Sequence, residues 1–374
     1  MARAPINAAT LRWARELSRV PIEDLAAAAG TSSARIEEFE AGSHSPTFRQ
    51  LTLIAAKLDR PLGFFFATAP AHSDVPEAAD FRGRSLEVPP ALLREMRRAE
   101  QHRDAILDLT GARESRIELR ALTRANIASE ASRLRTQLGL TDAFTPPESQ
   151  QNQVFNFWRG LLEENGIIVF QTSRIPLTAF RGLSIHHDAL PLILVNGADS
   201  ASGKSFTLFH EVAHLANRTS GLCLLDDGVN EEAIANSFSA NFLMPEVAVR
   251  RFLASAPPGF DAAIQLAAAF KVSVLAAGVR LRNLGQISDE QLAGIRQQSD
   301  ETWGRVREQQ RESSGFVPPW RLRYRDLGNT YIGTIADALR EGRVDMTDAT
   351  YLLNARVPMV EQLLDEYYRT GGAS

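Results

Sequence analysis

Apolar residues recur at helical spacing over residues 8–66 and fall into short runs separated by breakers. Leu11, Ala14 and Leu17 space the first helix, and Pro21 opens a second that runs through Leu25 and Ala28. Gly30-Thr31 makes a turn, Ser32 or Ser33 caps a third helix carrying Ile36 and Phe39, and Gly42 stops it. Pro46-Thr47 starts a fourth with Leu51, Ile54, Ala55 and Leu58, and the run Pro61–Phe66 ends the unit. Residues 67–90 lose this periodicity. Ala, Pro, His, Ser and Asp dominate there, which predicts a linker, with Phe81 of Asp80-Phe81-Arg82 pinning it to a neighbouring surface. Leu92, Leu93, Met96, Ala99, Ile106 and Leu109 then space one long helix. Its Arg94, Arg97, Arg98 and Arg103 alternate with Glu95, Glu100, Asp104 and Asp108, the pattern of a solvated face laced with ion pairs. Further helices are expected over 123–138 and from Val154 to Gly166.

After Gly166 the period changes. Three apolar runs, 166–171, 180–185 and 190–196, predict strands, with His186-His187-Asp188-Ala189 turning between the last two. Pro191 inside the third places that strand at a sheet edge, since proline donates no ladder hydrogen bond. Helical spacing returns over 206–215, 231–245, 260–270 and 272–284. Ser288-Asp289-Glu290-Gln291 is a capping box opening a helix to about Arg311, residues 313–319 form a second linker, and residues 320–370 are helical. The pattern describes an α+β chain: a helical domain over 1–67, a linker and helical segment over 68–150, a helical core with a small sheet over 151–285, and a helical region over 286–374.

Composition narrows the function classes. The 374 residues suffice for two or three domains, and a net charge of −4 excludes a bulk polycation that would hold nucleic acid by charge alone. The single cysteine, Cys223, excludes an intrachain disulfide; with no signal-like start and no apolar run of membrane length, a cytoplasmic location is expected.

The chemistry concentrates in Phe206-Thr207-Leu208-Phe209-His210-Glu211-Val212-Ala213-His214-Leu215. His210 and His214, at i and i+4 on one helix face, can reach a single ion, and Glu211 can take a proton from water beside it. A catalytic zinc needs a third protein ligand and an open position. The helix opening at Asn230 offers Glu231 and Glu232, and the loop before it Asp226 and Asp227; spacing alone does not choose among them. Cys223 is either a small packing hydrophobe or a thiolate that reaches the ion's open position and keeps the site latent. His186 and His187 are solvated turn residues or helpers to an oxyanion. Gly203-Lys204-Ser205 is no phosphate loop, because Gly197 falls one residue short of the required spacing.

Phe-Thr-Leu-x-His-Glu-x-x-His-Leu followed by Glu-x-x-Ala-Asn-x-Phe-x-x-x-Phe-Leu-Met-Pro resembles the ImmA/IrrE-type zinc metallopeptidases over roughly residues 165–285. The resemblance implies Glu232 as the third ligand of one Zn²⁺ per chain, with Asn236 one turn later holding a ligand in place. It also implies a zincin-like endopeptidase that cleaves a transcriptional repressor or similar regulator in response to stress, phage or mobile-element signals. The N-terminal helices form a helix-turn-helix layout, and Ile22 through Thr47 resembles Xre/Cro-type DNA-binding domains. Its second helix would offer Ser32, Ser33 and Arg35 to DNA, while Glu37 and Glu38 stand where phosphates would be repelled. The expected partners are therefore a protein substrate, DNA through the helix-turn-helix, and a second copy of the chain in a homodimer. The competing expectation is a DNA-binding regulator or antitoxin whose zinc domain cuts nothing.

Overall fold

The structure is a computed structural model that describes residues 2–70, 88–111, 115–146, 153–218, 221–223, 230–254, 260–299 and 316–370. The chain divides into two compact units, Met1–Glu100 and Gln101–Ser374.

In the first unit the four expected helices are present: α1 (Ala8–Leu17), α2 (Ile22–Ala29), α3 (Ser33–Glu40) and α4 (Phe48–Leu58), followed by a 3₁₀ turn at Leu62–Phe66. Each start has a local cause. Asn7, Ser32 and Thr47 accept from backbone N–H groups in the first turns of α1, α3 and α4, and Gly30 closes α2 in the left-handed region. Leu11, Leu25, Ile36, Phe39, Leu51 and Ile54 are buried together. One ion pair lies within this core: Glu40, 6% exposed, receives Arg15 at 2.6 Å. Helix α5 (Pro90–Thr110) continues the chain. The expected ion pairs are present, Arg94 and Arg98 with Glu95 and Arg103 with Asp104, but two arginines leave the solvated face that their alternation suggested. Arg97 is 3% exposed and donates to the carbonyls of Leu58 and Asp59, and Arg98 pairs with Asp59 at 2.5 Å. The reason is the left-handed residue Asp59, which ends α4 and turns carbonyls outward for a guanidinium to cover. The expected linker with Asp80-Phe81-Arg82 lies outside the described residues.

The second unit surrounds a small mixed sheet, so the described fold is α+β. Helices α6 (Ile127–Gln137) and α7 (Val154–Glu164) precede strands β1 (Ile168–Thr172), β2 (Gly182–Ile185) and β3 (Leu192–Asn196). Then come α8 (Ala201–Asn217), a short β4 (Gly221–Cys223), α9 (Asn230–Leu243), α10 (Glu246–Leu253), α11 (Phe260–Phe270) and α12 (Val274–Asn283). A helix α13 over residues 289–299 and helices α14 (Pro319–Arg340), α15 (Met346–Leu352) and α16 (Val357–Arg369) complete it. The expected continuation of α13 to Arg311 lies outside the described residues.

The strand order is β1-β3-β2-β4, with β1 parallel to β3 and the other two pairings antiparallel. This corrects the expectation that the 190–196 strand is an edge. β3 is central, flanked by β1 and β2, and Pro191 sits just before its first paired residue, where its carbonyl accepts from Ile168. A proline there forfeits no ladder bond, so it does not mark an edge. The edge beside β2 is β4, a strand too short to show a period in the sequence.

Candidate metal centre

Every residue of α8 from Thr207 to Ala216 is buried. Such a helix has no solvated stripe, and polar side chains on it must find partners inside the fold. Three of its buried residues are ionisable: His210 at 6%, Glu211 at 0% and His214 at 7% exposed. Ser200 caps the helix by accepting from Gly203, and the left-handed Arg218 ends it. Phe209, beneath His210, stacks on Phe242 of α9 with ring centroids 3.8 Å apart, and Trp158 of α7 meets both rings edge-on. Ser239 of α9 adds a hydrogen bond to the carbonyl of Phe206. These contacts fix α9 against α8 and so set which residues of its first turn face the two histidines.

Glu232 faces them. Its Oε2 lies 3.0 Å from His210 Nε2 and its Oε1 3.2 Å from His214 Nε2, while the two imidazole nitrogens are 3.1 Å apart. Glu231 is exposed, and Asp226 and Asp227 lie outside the described residues. Among the described residues, His210, His214 and Glu232 form the cluster of donors able to hold a metal ion, all within 4.8 Å of one another. A tetrahedral ion with bonds of 2.0–2.1 Å separates its donors by about 3.3 Å, so the spacing fits zinc with almost no rearrangement.

The electrostatics fit as well. Burial lowers the His214 pKa, yet the hydrogen bond to Glu232 and the charge of Glu211 outweigh it, and the net shift is upward. Burial likewise opposes the charged form of Glu232, but its hydrogen bonds to His210 and His214 hold that carboxyl down at about 2. The pocket therefore favours positive charge at the point where the three donors converge, which a divalent cation supplies. Asn236 Oδ1 lies 3.1 Å from His210 Nδ1. A proton on Nδ1 satisfies that contact and leaves the Nε2 lone pair facing the cluster.

The Glu211 carboxyl packs against the sheet. A Cβ at Gly182 of β2 would collide with Thr207 Cγ2 and lie 2.7 Å from Glu211 Oε1. The missing side chain at Gly182 is the space that the Glu211 carboxyl occupies. Nothing at the sequence level distinguished this glycine from any other strand-initial residue. Cys223 pairs through its backbone with Gly182, while its side chain lies outside what the structure describes. His186 and His187 are not part of the donor cluster; burial and the nearby Arg218 charge lower the His186 pKa. Lys204 donates to Gln171 and sits 4.9 Å from the Phe155 ring centroid, as a residue held in packing rather than in a phosphate loop.

In the first unit, Ser32 caps α3 and is exposed, and Arg35 is drawn to Glu38 at 2.5 Å. That pair turns the one cation of α3 toward its own helix.

A buried, helix-borne pair of histidines, a carboxylate from the following helix and a second buried carboxylate against the sheet make a metallopeptidase-like centre. Residues 163–282 match the peptidase family described as the IrrE N-terminal-like domain, and residues 11–65 match the helix-turn-helix family. The chain thus combines an N-terminal Xre-type helix-turn-helix with an ImmA/IrrE-like peptidase domain. No curated protein matches it.

Proposed function

We propose that this chain is a zinc-dependent metallo-endopeptidase that cleaves a regulatory protein, such as a repressor or antitoxin, in a stress, phage or mobile-element response. The observation that carries the reading is the joint placement of the His210–His214–Glu232 cluster and the buried Glu211 carboxyl, the next residue on the same helix. A zinc ion held by those three donors would supply Lewis acidity toward the scissile carbonyl and toward water. Glu211, seated in the space over Gly182, takes the proton from the attacking water and returns it to the leaving amine. Asn236 keeps the His210 ring oriented throughout. Among the described residues β4 pairs on one side only, with β2, and its other side offers backbone groups to an extended substrate. Among the described residues, no single helix is long and apolar enough to cross a membrane; the action proposed is cytoplasmic.

The helix-turn-helix supports a second reading, a DNA-binding regulator in which the metal domain cuts nothing. The Arg35–Glu38 pair and the exposed Glu37 weigh against tight phosphate contact by α3. Co-expression with the products of neighbouring genes separates the two. The peptidase reading expects a partner cleaved by the wild type and intact with Glu211→Gln. If Glu211→Gln regulates normally while changes at Ser33 and Arg35 abolish control, the regulator reading stands instead.

A further inference from the structure

Helices α14, α15 and α16 lie beyond both family matches, yet they repeat the layout of α1, α2 and α3. Ile335 and Ala338 of α14 are buried at the positions that Leu11 and Ala14 hold in α1. Ala349 and Leu353 stand for Leu25 and Ala29, and Val360 and Leu363 for Ile36 and Phe39; all are buried. The displacement along the chain is the same at every pair, with no insertion between them. The turn agrees as well. Gly30 before α3 is left-handed at φ 63°, and Asn354 at the same point before α16 is left-handed at φ 44°. Asn is among the few residues besides Gly that take that conformation at low cost. Tyr331 donates to the carbonyl of Leu352 and Arg323 to those of Leu353 and Asn354, so α14 closes the turn. Gly333 lets α16 cross α14 closely: a Cβ there would lie 2.8 Å from Tyr367 Cε2. The exposed surface, by contrast, is not repeated. Val357, Leu364 and Tyr368 replace Ser33, Glu40 and His44 of the first series. They stand at i, i+7 and i+11, one stripe about 16 Å long, with Glu361 at i+4 among them. Val357 is 42% and Tyr368 51% exposed, and Leu364 is half-buried. Asp365 flanks the stripe. Among the described residues neither Glu361 nor Asp365 has a partner, whereas Arg369 is taken up by Glu366 at 2.6 Å.

We propose that α14, α15 and α16 form a further helix-turn-helix unit whose α16 face docks a basic amphipathic helix of a partner protein in place of DNA. The proposal goes beyond the peptidase reading and does not depend on it. Phosphates brought to this face would meet Glu361 and Asp365, with no free cation on the stripe to neutralise them. An apolar stripe of this spacing is what one helix offers to another along its length. Val357, Leu364 and Tyr368 would each gain by losing water to a partner's apolar side chains. Lys or Arg beside those side chains would pair with Glu361 and Asp365, and an acidic helix would be repelled, so the charge selects the class of partner.

The test measures fluorescence anisotropy of three labelled probes against the full chain: a Leu/Lys amphipathic peptide, its Leu/Glu counterpart and a short DNA duplex. The expected result is binding of the Leu/Lys peptide alone, weakening as salt rises. Val357→Ser with Tyr368→His installs the residues that the first series carries at those positions. That pair of changes, and separately Glu361→Lys with Asp365→Lys, should each weaken binding about tenfold or more, with circular dichroism reporting that both variants are folded. Asp188→Lys, at a side chain 97% exposed in the loop between β2 and β3, should leave binding as it was. Hydrogen exchange of the wild-type chain gives a readout that needs no variant, with peptide-dependent protection expected on α16. Leu/Lys binding that neither pair of changes alters, protection confined to other elements, or no binding at all overturns the proposal. Duplex binding that the α16 changes remove overturns the partner class in favour of DNA. Self-association of the chain that Val357→Ser with Tyr368→His dissolves, with no peptide bound, gives the face to a second copy and likewise overturns it.

Discussion

Gly182 shows how one missing side chain can make room for a buried carboxylate. With a Cβ there, Glu211 Oε1 would have to retreat from 2.7 Å to an ordinary contact, a shift approaching 1 Å. A misplacement of that size at a reacting group costs on the order of 10²-fold. Gly182→Ala should therefore lower kcat by about that factor while leaving zinc stoichiometry unchanged, because the nearest atoms the new Cβ meets belong to Thr207 and Glu211 rather than to the donors. Metal analysis beside steady-state kinetics checks it; an unchanged kcat would mean that Glu211 works from another position. Lys204 gives a pH signature. Burial, with the charges of Arg325 and Arg159 nearby, pulls its pKa down from 10.5 to about 8. The unfolded chain holds that proton to higher pH than the folded one, so stability rises between about pH 8 and 10.5 as the unfolded state alone stays charged. Denaturant unfolding from pH 7 to 10.5 should show this rise, at most about 3 kcal/mol, and Lys204→Met should flatten it. At this scale the sequence was partly legible. The His-Glu-x-x-His spacing implies its helix face directly, but spacing could not choose Glu232 over Glu231. That choice depends on how Phe209, Phe242 and Ser239 rotate α9 against α8.

At the scale of elements, long periodic runs translated well and short or buried features did not. Helices α1–α4, α8, α9 and α11 follow their apolar spacing, since each buries one stripe or is buried whole. β4 has three residues, fewer than two periods of a strand, and only its pairing with β2 defines it. It was Pro191 that made β3 look like an edge, although the proline precedes the first paired residue and forfeits no ladder bond. Arg97 and Arg135 misled or hid for a related reason: a buried arginine that caps carbonyls reads in sequence like any surface charge. Arg135, 1% exposed, donates to the carbonyls of Phe242, Thr141 and Phe144, and burial pushes its pKa down to about 10. It thereby closes the C-terminal end of α9, the helix that bears Glu232. Arg135→Met would strand those carbonyls, at a cost on the order of 3 kcal/mol. Chemical denaturation of the metal-free protein should show the loss. Zinc affinity should weaken in parallel, since binding and the positioning of α9 draw on the same folded state. A variant as stable as wild type would show that the carbonyls find other donors.

For the whole molecule, the two units present separate questions. The helix-turn-helix was legible almost to the residue because its turns rely on Gly30 and on caps at Ser32 and Thr47. Whether it grips DNA depends on surface charge, and on α3 the exposed Arg35 is already paired with Glu38. The peptidase unit carries the central claim, that one zinc held by His210, His214 and Glu232 works with Glu211 as the proton-transfer group. Glu211→Gln keeps the side-chain volume and removes the base. The decisive measurement is turnover of an unstructured protein substrate by zinc-loaded wild type and Glu211→Gln, each shown by elemental analysis to hold one zinc per chain. The account predicts equal zinc and a fall in turnover of about 10²–10⁴-fold. Equal turnover at equal zinc content would contradict it.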